Sequence, residues 1–306
     1  MRYILLLASL LFATALRAQT DIVKPDLSKP SLIAPAYFGP NAFPVPDMLD
    51  GRTSSVLSVE LYGDYFAGTT ARMKEDMTGD IFARVTIPLF TSKANITVWM
   101  PIVESYYTSS QINAQRRLPY TEDLRGMDSG DVYVSTDISL LAQEKHKVDM
   151  AIRAALKSAS ANKFYEGRCY DAPGYFFDLS LGRGFKLGTN STLRLAGSVG
   201  FLCWQTGTGR QNDAVMYGAK VIYRHRAISI DSAFGGYAGW EGMGDRPMTL
   251  KTNLTYHIGR LSLRLGHQVG FRDWPFHQLR VGACYYFDIL RERRNCNKQA
   301  TTFFHK

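Results

Sequence analysis

Residues 280–287 read Arg-Val-Gly-Ala-Cys-Tyr-Tyr-Phe. Side chains of a strand alternate faces, so Leu279, Val281, Ala283, Tyr285 and Phe287 form one apolar edge. Gln278, Arg280, Gly282, Cys284 and Tyr286 face the other way. One such stretch says little, because many soluble strands end in aromatics. Its weight comes from the chain before it, which repeats the same period many times.

About twelve segments alternate with period two, each near the roughly 9–11 residues that a tilted membrane strand needs. Their expected limits are 55–67, 79–90, 94–104, 131–141, 147–158, 174–184, 192–204, 214–224, 227–240, 247–258, 260–271 and 277–287. Val132, Val134, Ile138 and Leu140 alternate with Asp131, Tyr133, Ser135, Asp137 and Ser139. The connections Thr91-Ser92-Lys93, Gln143 to His146, Arg224-His225-Arg226 and Ile258-Gly259 are tight, whereas 105–130 and 159–173 are long. Short turns alternating with long loops are the habit of membrane barrels, with the brief turns in the periplasm. Aromatic girdles are expected at both interfaces. Tyr65, Tyr175, Trp240 and Phe271 mark the external end, and Tyr223, Tyr256, Tyr285 and Phe287 the periplasmic end. His267 alone interrupts the apolar face of the eleventh segment, and a bulge or shifted register is the expected cause.

The fold expected is therefore all-β, a transmembrane antiparallel up-and-down barrel of about 12 strands. A proline-rich N-terminal segment precedes it and a short basic tail follows. The spacing of Arg280, Gly282, Tyr285 and Phe287 resembles the C-terminal insertion signal of outer-membrane barrels, which implies the barrel-assembly machinery as a partner.

Export follows from the start of the chain. Met-Arg-Tyr-Ile-Leu-Leu-Leu-Ala-Ser-Leu-Leu-Phe-Ala is basic, then apolar, and Ala18 before Gln19 reads as a cleavage site. Residues 1–18 are thus expected to be a signal peptide, 19–53 the proline-rich segment, 54–288 the barrel and 289–306 a periplasmic tail. Beyond residue 18 no run of about 18 apolar residues could form a membrane helix. Hydrophobic residues make up 45 % of the 306 and charged residues 21 %, which excludes a disordered chain. Part of the net charge of +9 lies in the tail, at Arg291, Arg293, Arg294, Lys298 and Lys306. Such a run is a solvated tail or a contact for peptidoglycan, lipid headgroups or a periplasmic partner. No basic–aromatic nucleic-acid reader is present, so nucleic acid is not an expected partner.

The second face of the segments is charged. Its acids are Glu60, Asp64, Asp80, Asp131, Asp137, Asp149, Asp178 and Asp231. Its bases are Arg84, Arg153, Lys157, Arg194, Lys220, Lys251, Arg264 and Arg280. An Arg or Lys facing lipid near the midplane costs roughly 2–4 kcal/mol, so this phase implies a wet lumen. Acids are commoner early and bases late. They either satisfy one another and hold the barrel round, or line a path for a zwitterionic or polar solute. Twelve strands enclose a passage between the filled eight-stranded barrel and the open porin, so it is narrow or closed.

Residues 25–46 hold Pro25, Pro30, Pro35, Pro40, Pro44 and Pro46 among Leu32, Ile33, Tyr37, Phe38, Phe43 and Val45. Proline prevents regular helix and interior strand, and the apolar groups seek burial. A plug or rim packing in the barrel is expected, or docking on a periplasmic partner. Ile-Ala-Pro-Ala-Tyr-Phe-Gly-Pro-Asn-Ala-Phe-Pro-Val-Pro, residues 33–46, resembles the start of uncharacterised outer-membrane barrel proteins of Bacteroidota. A mature start at Gln19 is also similar to exported proteins of that group. The resemblance implies location and architecture, and assigns no activity to any residue.

Catalytic signals are poor. A barrel lipid hydrolase needs a Ser–His pair oriented by Asn or Asp at the lipid boundary. His267 is the one histidine near such a place, and Ser262 on its strand points the other way. A rim pair, Asp273 and His277, is commonplace. No cofactor or metal site is expected, since Cys169, Cys203, Cys284 and Cys296 lack close spacing. Export allows a disulfide, with Cys169 and Cys203 the candidates at one barrel end. The reading favoured is an outer-membrane barrel, in contact with outer-membrane lipid, that conducts or binds a small polar solute. The alternative is a non-conducting barrel that assembles a surface complex through 105–130, 159–173 and the basic tail. An outer-membrane lipid hydrolase or acyltransferase comes third.

Overall fold

The computed structural model describes residues 38–69, 75–89, 93–170, 172–205, 211–240, 242 and 244–287. The expected signal peptide, its cleavage site and the basic tail lie outside them.

Among the described residues thirteen strands form one antiparallel sheet. They are β1 (Leu57–Gly68), β2 (Asp76–Pro88), β3 (Ala94–Thr108), β4 (Leu124–Asp128), β5 (Tyr133–Leu141), β6 (Asp149–Lys157) and β7 (Gly174–Lys186). Then follow β8 (Ser191–Gln205), β9 (Gln211–His225), β10 (Ile228–Gly239), β11 (Met248–Ile258), β12 (Leu261–Arg272) and β13 (Phe276–Phe287). β1 pairs with both β2 and β13, which closes the cylinder. β4 pairs with the outer end of β3 alone, so the other twelve make the barrel wall. Every backbone group of such a wall finds its partner on a neighbouring strand, which an open sheet could not offer in lipid.

The period-two pattern sorts the side chains. Leu61, Leu156, Val199 and Val215 stand outward, more than half exposed, within a belt of Ile, Leu, Val and Phe. An exposed apolar belt around a charged interior is what a membrane-spanning barrel presents to acyl chains. Tyr65 and Trp240 are exposed at one margin, and Tyr223, Tyr256, Tyr285 and Phe287 at the other. Pro101, inside β3, is tolerated because the register against β2 shifts there, between Ile81 and Phe82. After that shift Glu104 and Tyr106 point inward and are buried.

Several local features differ from the sequence expectation. The long connection after β3 contains helix α1 (Ser110–Arg116) as well as β4. Ser109 caps α1 by accepting from Ile112 N–H, and Arg117 ends it with φ +56°. The tight turn at Gln143 to His146 is a helical turn, α2 (Gln143–His146). The bulge or shifted register expected at His267 is absent, because β12 keeps regular pairing with β13 from Leu261 to Val269. His267 faces outward and stacks on His277, with ring centroids 5.4 Å apart and Nε2···Nδ1 at 3.3 Å. The partner ring, not a distortion of the strand, accommodates it.

Candidate functional site

The lumen is occupied by the chain itself. Residues 38–52 run through it from the long-loop end to the short-turn end, where they join β1. At the long-loop end Phe38, Ala42 and Phe43 are buried with Tyr170, Phe176, Trp204 and Tyr237. Phe43 lies 5.9 Å from both the Tyr170 and Trp204 rings. Trp274 Nε1–H donates to Pro40 O at 3.2 Å, and Gly39 N–H to Gly167 O at 2.7 Å. Asn41 Nδ2 donates to Asp80 at 2.7 Å and to Glu104 at 2.6 Å. Pro40, Pro44 and Pro46 lack an N–H, so the segment cannot add to the wall as a strand and crosses the interior instead.

Lower in the barrel the segment meets basic residues. Asp47 takes Arg84 at 2.7 Å and Lys251 at 2.7 Å. Lys220 Nζ donates to Met48 O at 3.3 Å, and Arg194 Nη2 to Asp50 O at 2.6 Å. Two wall glycines admit this approach. A Cβ on Gly182 would lie 2.0 Å from Asp50 O, and one on Gly218 would lie 2.7 Å from Met48 Sδ.

All sixteen charged residues named from the sequence lie on the inner side. Many pair directly across adjacent strands, where opposite charges stabilise a sheet. Arg280 faces Asp64 in register and bonds it at 2.7 and 2.5 Å. Arg153 lies between Asp137 and Asp178 in register and bonds Asp178 at 2.7 Å. Lys157 reaches Asp131 at 2.6 Å, and Arg194 reaches Asp149 at 2.8 Å. Glu60 is 3.5 Å from Arg264 and 3.9 Å from Arg84. Asp231 accepts from Asn253 at 2.9 Å. Lys220 and Lys251 bond the N-terminal segment. The residues opposite Lys220 are Ala196 and Ala233, and those opposite Lys251 are Ala233 and Gln268.

Sequence reasoning missed the residues without strand phase. Arg168, in the loop after β6, enters the lumen and bonds Glu104 at 2.6 Å and Thr78 at 2.8 Å. Arg116 of α1 pairs with Asp76. Asp47 and Asp50 sit in the proline-rich stretch, where alternation gives no orientation. Their proximity to each other, three apart in a neutral run, was the one available signal.

The expected Cys169–Cys203 disulfide is not formed, and both thiols are free and buried. Cys203 shares the outward phase of Val199 and Phe201 and contacts Tyr175 and Asp213. Cys169 packs on the inner side near Asp131 and Asp128, and burial pushes its thiol up to about 12. The barrel wall separates the two.

The Ser–His contacts among the described residues are not arranged for nucleophilic catalysis. Ser191 Oγ and His225 Nδ1, 2.8 Å apart, are exposed. His257 meets Ser229 Oγ at 3.1 Å through Nε2 and Ser262 Oγ at 2.7 Å through Nδ1, leaving no position for an orienting carboxylate. Asp273 of the rim pair accepts from Arg246 N–H at 2.9 Å, while His277 turns to His267. Among the described residues no group of three His, Cys, Asp or Glu could hold a metal ion.

Beside the segment lies a cavity of about 380 Å³, bordered by the bases Arg84, Lys220, Lys251, Arg264 and Arg280 and by the acids Asp47, Asp50, Glu60, Asp137 and Asp231. That volume is in the range of small-molecule sites, roughly 300–1,000 Å³. The arrangement can hold a small charged or hydrogen-bonding molecule, and it can block passage while the segment stays in place.

No family model and no curated protein matches the sequence. Solved structures do share its shape. An outer membrane channel from Pseudomonas putida F1 superposes with a TM-score of 0.50 at 14 % identity, covering 79 % of this chain and 100 % of that one. The KdgM porin gives 0.46 at 10 % identity, covering 75 % and 99 %. The NanC porin gives 0.46 at 9 %, covering 75 % and 100 %. At such identities the likeness is one of fold, a closed β-barrel of the outer-membrane type.

Proposed function

We propose that this chain is an outer-membrane β-barrel acting as a narrow channel or binding barrel for a small polar solute, with residues 38–52 as its resting plug. The observation that carries this is the course of that segment. It crosses the lumen and ties the acidic wall, through Asn41, to the basic wall, through Asp47. The segment makes no strand pairing with the wall, and its Asp47 ion pairs are partly exposed, so it can leave while the wall stays intact. Export with cleavage before Gln19, the long loops facing outside, and recognition of Tyr285 and Phe287 by the assembly machinery belong to the same reading.

Conductance in planar bilayers tests it. The mature protein should be silent or show rare brief steps, and deletion of residues 19–50 should give steady small steps. A second reading, a non-conducting scaffold, draws on the folded platform of α1 and β4 beyond the wall. Silence of both proteins would favour it.

A further inference from the structure

Two cations near Asp47 are also placed by contacts other than Asp47. Arg84 lies over the Phe82 ring at 5.4 Å and the Trp99 ring at 5.7 Å. Arg280 lies over the other neighbours of the same cluster, Phe82 at 4.5 Å and Tyr62 at 4.9 Å, and is fixed by Asp64. Its charge also reaches Asp47. Planar guanidinium groups stacked on rings and forked onto carboxylates are pre-organised for oxyanions. Lys251 completes the group from the opposite side, and its strand neighbours carry no carboxylate.

Two cations thus bond one carboxylate of the N-terminal segment, and Arg280 borders the same cavity. The Asp47 side chain is 36 % exposed, against 1–7 % for the wall pairs of Lys157, Arg153 and Arg280. It borders the 380 Å³ cavity, so the space beside its carboxylate is open to a solute. A wall pair is finished within the wall. Lys251, and Arg84 with Glu60 no nearer than 3.9 Å, take their short ion pairs from the segment instead.

We propose that Arg84, Lys251 and Arg280 form an anion site for a carboxylate-bearing solute, and that Asp47 occupies it as a built-in stand-in. The proposal rests on the channel reading and narrows it: the solute is an acid, and its carboxylate competes with the plug. Lys220, which now holds the Met48 carbonyl, lies one strand pair away and extends the basic track.

The test uses the full-length protein with Asp47→Ala, which empties the carboxylate position beside the standing cations. Saturation-transfer NMR with acetate as the probe should report binding about ten-fold tighter than in the wild type, the worth of one charge-assisted hydrogen bond. Adding Lys251→Gln or Arg84→Gln should abolish it, and choline should give no signal. Heat-modifiable gel mobility confirms folding of each variant, and Asp47→Asn offers a second comparison, since its amide fills the position and should exclude acetate. Equal acetate binding in wild type and Asp47→Ala, indifference to Lys251→Gln, or a preference for choline would overturn the proposal. Current through the same variant should shift toward chloride over potassium relative to wild type, because the cations beside position 47 lose one carboxylate. A shift toward potassium would reject the anion site and leave the channel standing. An acetate site in a barrel that never conducts, even with residues 19–50 deleted, would reject the channel and leave the site.

Discussion

Lysines 157 and 251 both point into the lumen, yet they end in different surroundings. Lys157 on β6 is 1 % exposed, bonded to Asp131 and to the carbonyls of Tyr170 and Ala172. Lys251 on β11 is 17 % exposed and meets Asp47 of the N-terminal segment. The same contrast runs round the barrel. On β5, β6 and β7, Asp137, Arg153 and Asp178 face one another, and on β13 and β1 so do Arg280 and Asp64, so these charges meet within the wall. On β9 and β11 the residues opposite each lysine are alanine or glutamine. The first region uses charge to hold its shape, and the second keeps charge available for an occupant.

The sharpest way to break this comparison is to remove one partner from each kind of pair. Asp131→Ala leaves Lys157 buried and uncompensated, and also frees the N–H groups of Ser160 and Ala161 that Asp131 accepts. A loss of about 3–5 kcal/mol is expected in guanidinium unfolding of the lipid-folded barrel. Asp47→Ala should cost only about 1 kcal/mol in the same assay, because its pairs are partly exposed. Its larger effect should be on conductance, with frequent openings where the wild type is quiet. If the two substitutions destabilise equally, the distinction between the regions is lost.

Cys169 reports on the self-paired region without disturbing a charge. Its pKa is raised to about 12 by burial, so the unreactive thiol form predominates below that pH and thiolate grows as the pH approaches it. With the other cysteines replaced, alkylation at pH 8 should be far slower than for an exposed thiol. Fast labelling at pH 8 would mean that the loop over Asp131 opens readily. The smallest effect belongs to the rim pair Lys163–Glu166, partly exposed at 3.1 Å. Lys163→Ala should change stability by about 0.5 kcal/mol or less.

Much of this was legible in the sequence because the wall obeys one local rule. Alternation fixes the face of each strand residue, and the last segment, expected at 277–287, is Phe276–Phe287. The same rule placed His267 outward correctly; the doubt attached to it was mistaken, because a stacked histidine on the next strand was not visible from one segment. Applied to Cys203, the rule would have set it on the outward face with Phe201 and so argued against a partner in an inner loop. The plug's partners were illegible for a different reason. Asp47 and Lys251 are 204 residues apart, and proline-rich chain has no period that says which way a carboxylate points. Arg168 and α1 were missed likewise, being loop features set by contacts and a single capping serine.

The central claim is that the N-terminal segment lies inside the barrel against its basic strands. Met48→Cys combined with Gly218→Cys, with the native cysteines replaced, tests it most directly, since a Cβ at 218 would touch the Met48 side chain. Mild oxidation of the folded protein should join the two in most molecules, giving a faster-migrating band that reduction reverses. Full labelling of both cysteines by a bulky maleimide in the folded barrel, with no cross-link, would contradict the account.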